Sequence, residues 1–120
     1  MTARGWVLDP DGGGVKIPER TKEEVRRRLE AYAAKHFVGR YRELRLRFRG
    51  PFCYVDAFTD EAVDAPMQIC RLRHFATERW TLGFFKYSDE KYELCFVDAA
   101  DGFWCTVEQG FEVAARAYLR

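Results

Sequence analysis

The sequence predicts an α+β fold: a curved, five-stranded antiparallel meander with an N-terminal and a C-terminal helix packed on one face. Three observations predict it. Apolar residues recur at helical spacing from Pro18 to about Phe37, and again up to about Leu119 near the end of the chain. Runs with strand alternation fill the stretch between them. Gly50-Pro51 sits between the first two of these runs as a tight hairpin turn.

Residues 1–17 open the chain as an irregular arm, because DPDGGG at 9–14 is turn-forming and has no periodicity. Trp6, Val7 and Leu8 offer that arm an apolar anchor. The remainder, 18–120, is expected to be a single α+β domain, the size expected of 120 residues in all. Its first helix carries Val25, Leu29, Tyr32, Ala33, His36 and Phe37 on one stripe, with Arg26, Arg27 and Arg28 on the rest of the surface. Thr21 and Glu24 have the spacing of a capping box, and Gly39 suits the helix stop.

The first hairpin is the most informative element. Gly then Pro suits a type II′ turn, whose first central residue needs positive φ. Such a turn pairs Arg49 with Phe52, Arg47 with Tyr54 and Arg45 with Asp56. Leu44, Leu46, Phe48, Cys53, Val55 and Ala57 then share a core face. Arg45, Arg47, Arg49, Phe52, Tyr54, Asp56 and Phe58 share the opposite face. TDEAVDAP at 59–66 is a loop, and strands three, four and five fall near 67–75, 79–88 and 91–97. Placing Tyr87 opposite Tyr92 sets Lys86 opposite Glu93, an attractive pair. DAADG is a further turn, and Thr106 with Gln109 forms a capping box for the closing helix, whose stripe is Phe111, Ala114, Ala115, Tyr118 and Leu119.

Composition limits the function classes. Net charge is +1, which gives no global attraction to polyanions, although 13 of the 20 basic residues precede residue 50. No apolar run has the length of a membrane span, and the first residues have no secretory apolar core, so a cytoplasmic protein without a membrane partner is expected. Cys53, Cys70, Cys95 and Cys105 each lie in apolar surroundings without a C-x-x-C pair and read as reduced, buried thiols. Cys70 and His74 share a strand face but sit about 13 Å apart along it, so no metal site and no cofactor is expected.

Extending the hairpin register across the meander gathers a candidate ligand site on the second face: Arg45, Arg47, Arg49, Tyr54, Arg71, Arg73, Trp80 and Phe84, with Phe52, Phe58 and Phe75 among them. Rings stack on planar groups, and arginine forks bind carboxylate or phosphate. The face suits an anionic or aromatic small molecule, or single-stranded nucleic acid. Against nucleic acid, the aromatic signature and β-α-β-β-α-β order of RNA-recognition sheets are absent. The face is also open to being covered, by residues 1–17 or by a second copy in a structural homodimer. No catalytic residue emerges. His74 shares the core face with Cys70 and Leu72, Asp56 faces Arg45 as an ion-pair partner, and GGG at 12–14 lacks the flanks of a phosphate loop. A small hydrolase-like enzyme would need His74 or Asp56 exposed in a polar cleft.

At RFRGPFCYVDAF and WTLGFFKYSDEKYEL the chain resembles small bacterial proteins of uncharacterised function with a helix, an R-G hairpin and a W-T-L strand, over roughly residues 16–119. That resemblance implies a shared fold and brings no activity, cofactor or site residue. The reading is therefore a non-enzymatic binding or interaction protein that uses its Arg/aromatic sheet face.

Overall fold

A computed structural model describes residues 12–61, 63–97 and 102–119. Trp6, Val7 and Leu8 lie outside the described residues, as does most of the DAADG turn. Among the described residues the architecture is α+β: an N-terminal and a C-terminal helix and an open antiparallel sheet of six strands, five of them a meander. Helix α1 is Glu19–His36. The strands are β1 Glu43–Arg49, β2 Phe52–Phe58, β3 Met67–Ala76, β4 Arg79–Lys86, β5 Lys91–Cys95 and β6 Trp104–Cys105, and helix α2 is Val107–Tyr118. Strands β1 to β5 are ordered as in the chain. The short β6, which the alternation is too brief to announce, pairs the start of β4 through Trp80–Cys105 and Thr81–Trp104.

The β1–β2 register is the one the Gly50-Pro51 turn demands, including Arg45 opposite Asp56 and Arg47 opposite Tyr54. Gly50 has φ +57, and proline beside it can hold only negative φ, which selects the II′ geometry. Both helices lie on the apolar face. Helix α1 buries Val25, Leu29 and Ala33, and α2 buries Val107, Phe111, Ala114 and Ala115. These meet Leu46, Cys53, Val55, Cys70, Leu72 and Leu82 of the sheet in one core. Each large side chain fully buried there is worth about 1.5–3 kcal/mol. Gly110 lets α2 approach closely: a Cβ there would stand 2.7 Å from Leu72 Cδ2 and 3.2 Å from Cys105 Sγ. The Thr106–Gln109 capping box forms with both of its hydrogen bonds.

The helix ends and later strands depart from expectation in three places. Thr21 does not cap α1. The helix begins three residues earlier, with Pro18 as N-cap and no side-chain cap bond. Ile17, fully buried, donates its backbone N–H to Gly50 O at 3.0 Å, so the hairpin turn fixes where the helix starts. His36, placed on the apolar stripe, is exposed and stacks on Tyr32 at 4.3 Å. In the β4–β5 hairpin Phe85, not Tyr87, stands opposite Tyr92, and Lys86 faces Lys91. A four-residue turn at 87–90 with Glu90 at φ +53 produces this shift, and Lys86 Nζ reaches Asp89 at 3.2 Å and Glu93 at 3.5 Å.

Two bulges in β3 decide which side chains reach the second face. Val55 pairs Cys70 but Asp56 pairs Gln68, leaving Ile69 as an extra residue. Ala76 pairs Arg79 but His74 pairs Trp80, leaving Phe75 extra. Each extra residue reverses the alternation beyond it. Away from the sheet, Arg28 ties the helices to the β3–β4 turn. Its Nε donates to Glu108 Oε2 at 2.8 Å, its Nη2 to Glu78 Oε2 at 2.9 Å, and its Nη1 lies 3.4 Å from Glu24 Oε1. No helix among the described residues is long and apolar enough to cross a membrane.

Candidate functional site

The face turned away from the helices is laid out in rows by the strand register. One row runs Arg47, Tyr54, Arg71, Gly83, Leu94, and the next Arg49, Phe52, Arg73, Thr81, Trp104. The third is Arg45, Asp56, Gln68. Gly83 sets no side chain opposite Arg71, and the Arg71 guanidinium lies over the rings of Phe52 at 4.2 Å and Tyr92 at 4.9 Å. Cation–π stacking of this kind also buries the arginine stem, and Arg71 is buried.

Asp56 is the one acid on this face of β2, and it is 1% exposed. Arg45 Nη2 donates to its Oδ2 at 3.3 Å, and Arg47 Nη2 lies 3.2 Å from the same oxygen. The two arginine side chains are 46% and 50% exposed, so they close over the carboxylate while facing water on the other side. Each rests on an aromatic neighbour: Arg45 on Phe58 at 5.6 Å and Arg47 on Tyr54 at 5.0 Å. Asp56 Oδ1 is buried and has no hydrogen-bond partner.

Beside this pair a groove of about 450 Å³ opens, lined by Arg47, Phe48, Arg49, Tyr54, Gln68 and Tyr92. Tyr54 and Tyr92 meet edge to face at 5.7 Å and form its aromatic wall. Tyr92 donates its hydroxyl to Gln68 Oε1 at 3.1 Å. Burial, and after it the negative charge of Asp56, pushes the Tyr92 hydroxyl well above the ordinary tyrosine range, although Arg47 pulls it back. Tyr92 is therefore a neutral donor at physiological pH. Arg49 is exposed at the end of the groove and makes no ion pair among the described residues.

The expected site residues divide into three groups. Arg45, Arg47, Arg49 and Tyr54 stand together with exposed or half-buried side chains. Arg71 and Arg73 lie on the same face but are buried. Arg73 donates its Nε to Thr81 Oγ1 at 3.1 Å, hydrogen-bonds Gly12 O and rests on Phe75 at 4.9 Å. Trp80 and Phe84 lie on the opposite side of the sheet from these arginines. The bulge at Phe75 sets Trp80 opposite His74, and Phe84 opposite Cys70, on the helix side. Trp80 is 2% exposed, in the core.

Three lining residues were not foreseen, and the first is Phe48, which was expected on the core face and also lines the groove. Gln68 reaches the face only through the bulge at Ile69, which alternation does not show. Tyr92 was legible: in KYELC it alternates with Glu93 and shares a face with Leu94. His74 lies on the helix side, buried, with Nδ1 3.0 Å from Val15 O and its ring 4.7 Å from Trp80. Burial pushes the thiols of Cys53, Cys70 and Cys95 up, away from the reactive thiolate. A scan against protein-family models and searches of curated proteins and of solved structures each find no match.

Proposed function

We propose that this protein is a non-enzymatic binding module that holds a small anionic ligand with a planar part in the groove between Arg47, Arg49, Tyr54 and Tyr92. The observation that carries this reading is a guanidinium pair at the mouth of an aromatic-walled groove, with Arg47 half exposed and Arg49 exposed. Arginine binds carboxylate through paired N–H donors, and rings accept a planar group by stacking. Support for single-stranded nucleic acid is thinner. Arg71 and Arg73 are buried against rings and Arg45 and Arg47 share Asp56, whereas a strand-binding face needs a run of exposed donors. A homodimer burying the face would have to desolvate Arg45, Arg47 and Arg49, against the depletion of charge at interface centres.

The test is a calorimetric titration of benzoate into the wild type and into an R47A/R49A double variant, with K35A, at an exposed position in the last turn of α1, as a control away from the groove. The reading predicts binding to the wild type and K35A and a loss of about tenfold or more in the double variant. Equal binding to all three, or none to the wild type, would contradict it.

A further inference from the structure

The orphaned oxygen of Asp56 constrains what the groove takes. A buried acceptor left without a donor costs about 1–3 kcal/mol, and such atoms in folded proteins almost always have a partner. Asp56 pairs Gln68 in the ladder and meets Arg47 through Oδ2, both of them lining residues of the groove, and its Oδ1 has no partner. No donor among the described residues reaches it. Both guanidinium contacts fall on Oδ2, and the Tyr92 hydroxyl goes to Gln68. We infer that the ligand supplies the missing donor: a small aromatic carboxylate that also carries a hydroxyl, with the hydroxyl donating to Asp56 Oδ1 and the carboxylate held by Arg47 and Arg49. This rests on the binding reading above and narrows its ligand.

Charge selects a neutral donor over an ammonium group. Arg45, Arg47 and Arg49 outnumber the two carboxylates of these strands, Glu43 and Asp56, so a further positive charge is repelled while an anion is welcome. Access follows from the same side chains. Arg45 and Arg47, half exposed, are the lid over Asp56. A ligand carboxylate that draws Arg47 outward opens the way to the Asp56 carboxylate as its own hydroxyl arrives. The bulge at Ile69 breaks the ladder beside Asp56 and turns Gln68 toward the groove, as bulges do next to sites.

The experiment titrates the full chain with 3- and 4-hydroxybenzoate and with the fluorobenzoates of matching shape, which bear no donor. It is repeated on D56N. In D56N the two guanidinium groups hold the amide oxygen, so the amide NH2 occupies the Oδ1 position and accepts nothing. The wild type is expected to prefer one hydroxybenzoate over its fluoro analogue by about tenfold, and D56N to lose most of that preference. Equal binding of the hydroxy and fluoro compounds to the wild type would overturn the donor assignment and leave the groove itself standing, with water serving Oδ1. Absence of binding by every compound would overturn both. The wild-type comparison stands whether or not D56N folds.

Discussion

Asp56 stands directly opposite Arg45 in the β1–β2 ladder, yet the same carboxylate oxygen also meets Arg47, two residues along, while its other oxygen meets nothing. One buried charge is thus neutralised by two half-exposed ones. That arrangement tolerates the loss of either arginine far better than the loss of both. R45A and R47A are each expected to lower unfolding free energy by about 1 kcal/mol. The double variant is expected to lose about 3–5 kcal/mol, more than the sum, because it strands a buried carboxylate. Urea unfolding of the four proteins measures this directly, and simple additivity would show that Asp56 is better solvated than its burial implies.

Arg28 makes a pH prediction. Burial raises Glu108, but the hydrogen bonds from Arg28 outweigh it and hold its pKa below the ordinary glutamate value. A carboxylate depressed in the folded state stabilises the fold above its unfolded pKa and loses that contribution as pH falls through its folded one. The urea midpoint should therefore fall as pH drops below about 4.3, and E108Q should flatten the decline. Near neutral pH, R28A is expected to cost about 1–2 kcal/mol, a charged hydrogen-bond loss reduced by solvent screening. An acid limb of the same steepness in E108Q would count against the assignment.

Gly110 tests the helix-to-sheet contact. A methyl there enters the space of Leu72 and the Cys105 sulfur, both buried. G110A should lower stability by about 1–3 kcal/mol even though alanine favours helix. Adding L72A vacates room for that methyl, so the two losses should sum to less than their separate values in thermal or urea unfolding.

Thiol chemistry reads the burial pattern. Cys53, Cys70 and Cys105 are buried and Cys95 is half-buried, and all four are free. In the native protein a thiol reagent such as dithionitrobenzoate should modify Cys95 first and the other three only on unfolding. Rapid native modification of Cys53 or Cys70 would mean that the core opens far more readily than its packing implies.

The parts of the fold legible in the sequence are those fixed by local chemistry. Gly50-Pro51 set the first register because proline excludes positive φ, and Thr106 with Gln109 marked the start of α2. Arg45, Arg47, Arg49 and Tyr54 share one sheet face, as read, for that reason. Trp80 and Phe84 were misplaced, and Gln68 missed, for one physical cause: a single extra residue in β3, at Phe75 or Ile69, reverses side-chain direction. The bulges coincide with tertiary features, the His74–Trp80 ring contact and the burial of Ile69, that strand alternation does not encode.

The most direct test of a binding groove on this face is an amide-resolved NMR titration of the isotope-labelled chain with 4-hydroxybenzoate. Shift changes are predicted to concentrate at Arg47, Arg49, Tyr54, Gln68 and Tyr92 and to saturate together along one binding curve. Changes centred instead on the helices, scattered without saturation, or absent altogether would contradict the account.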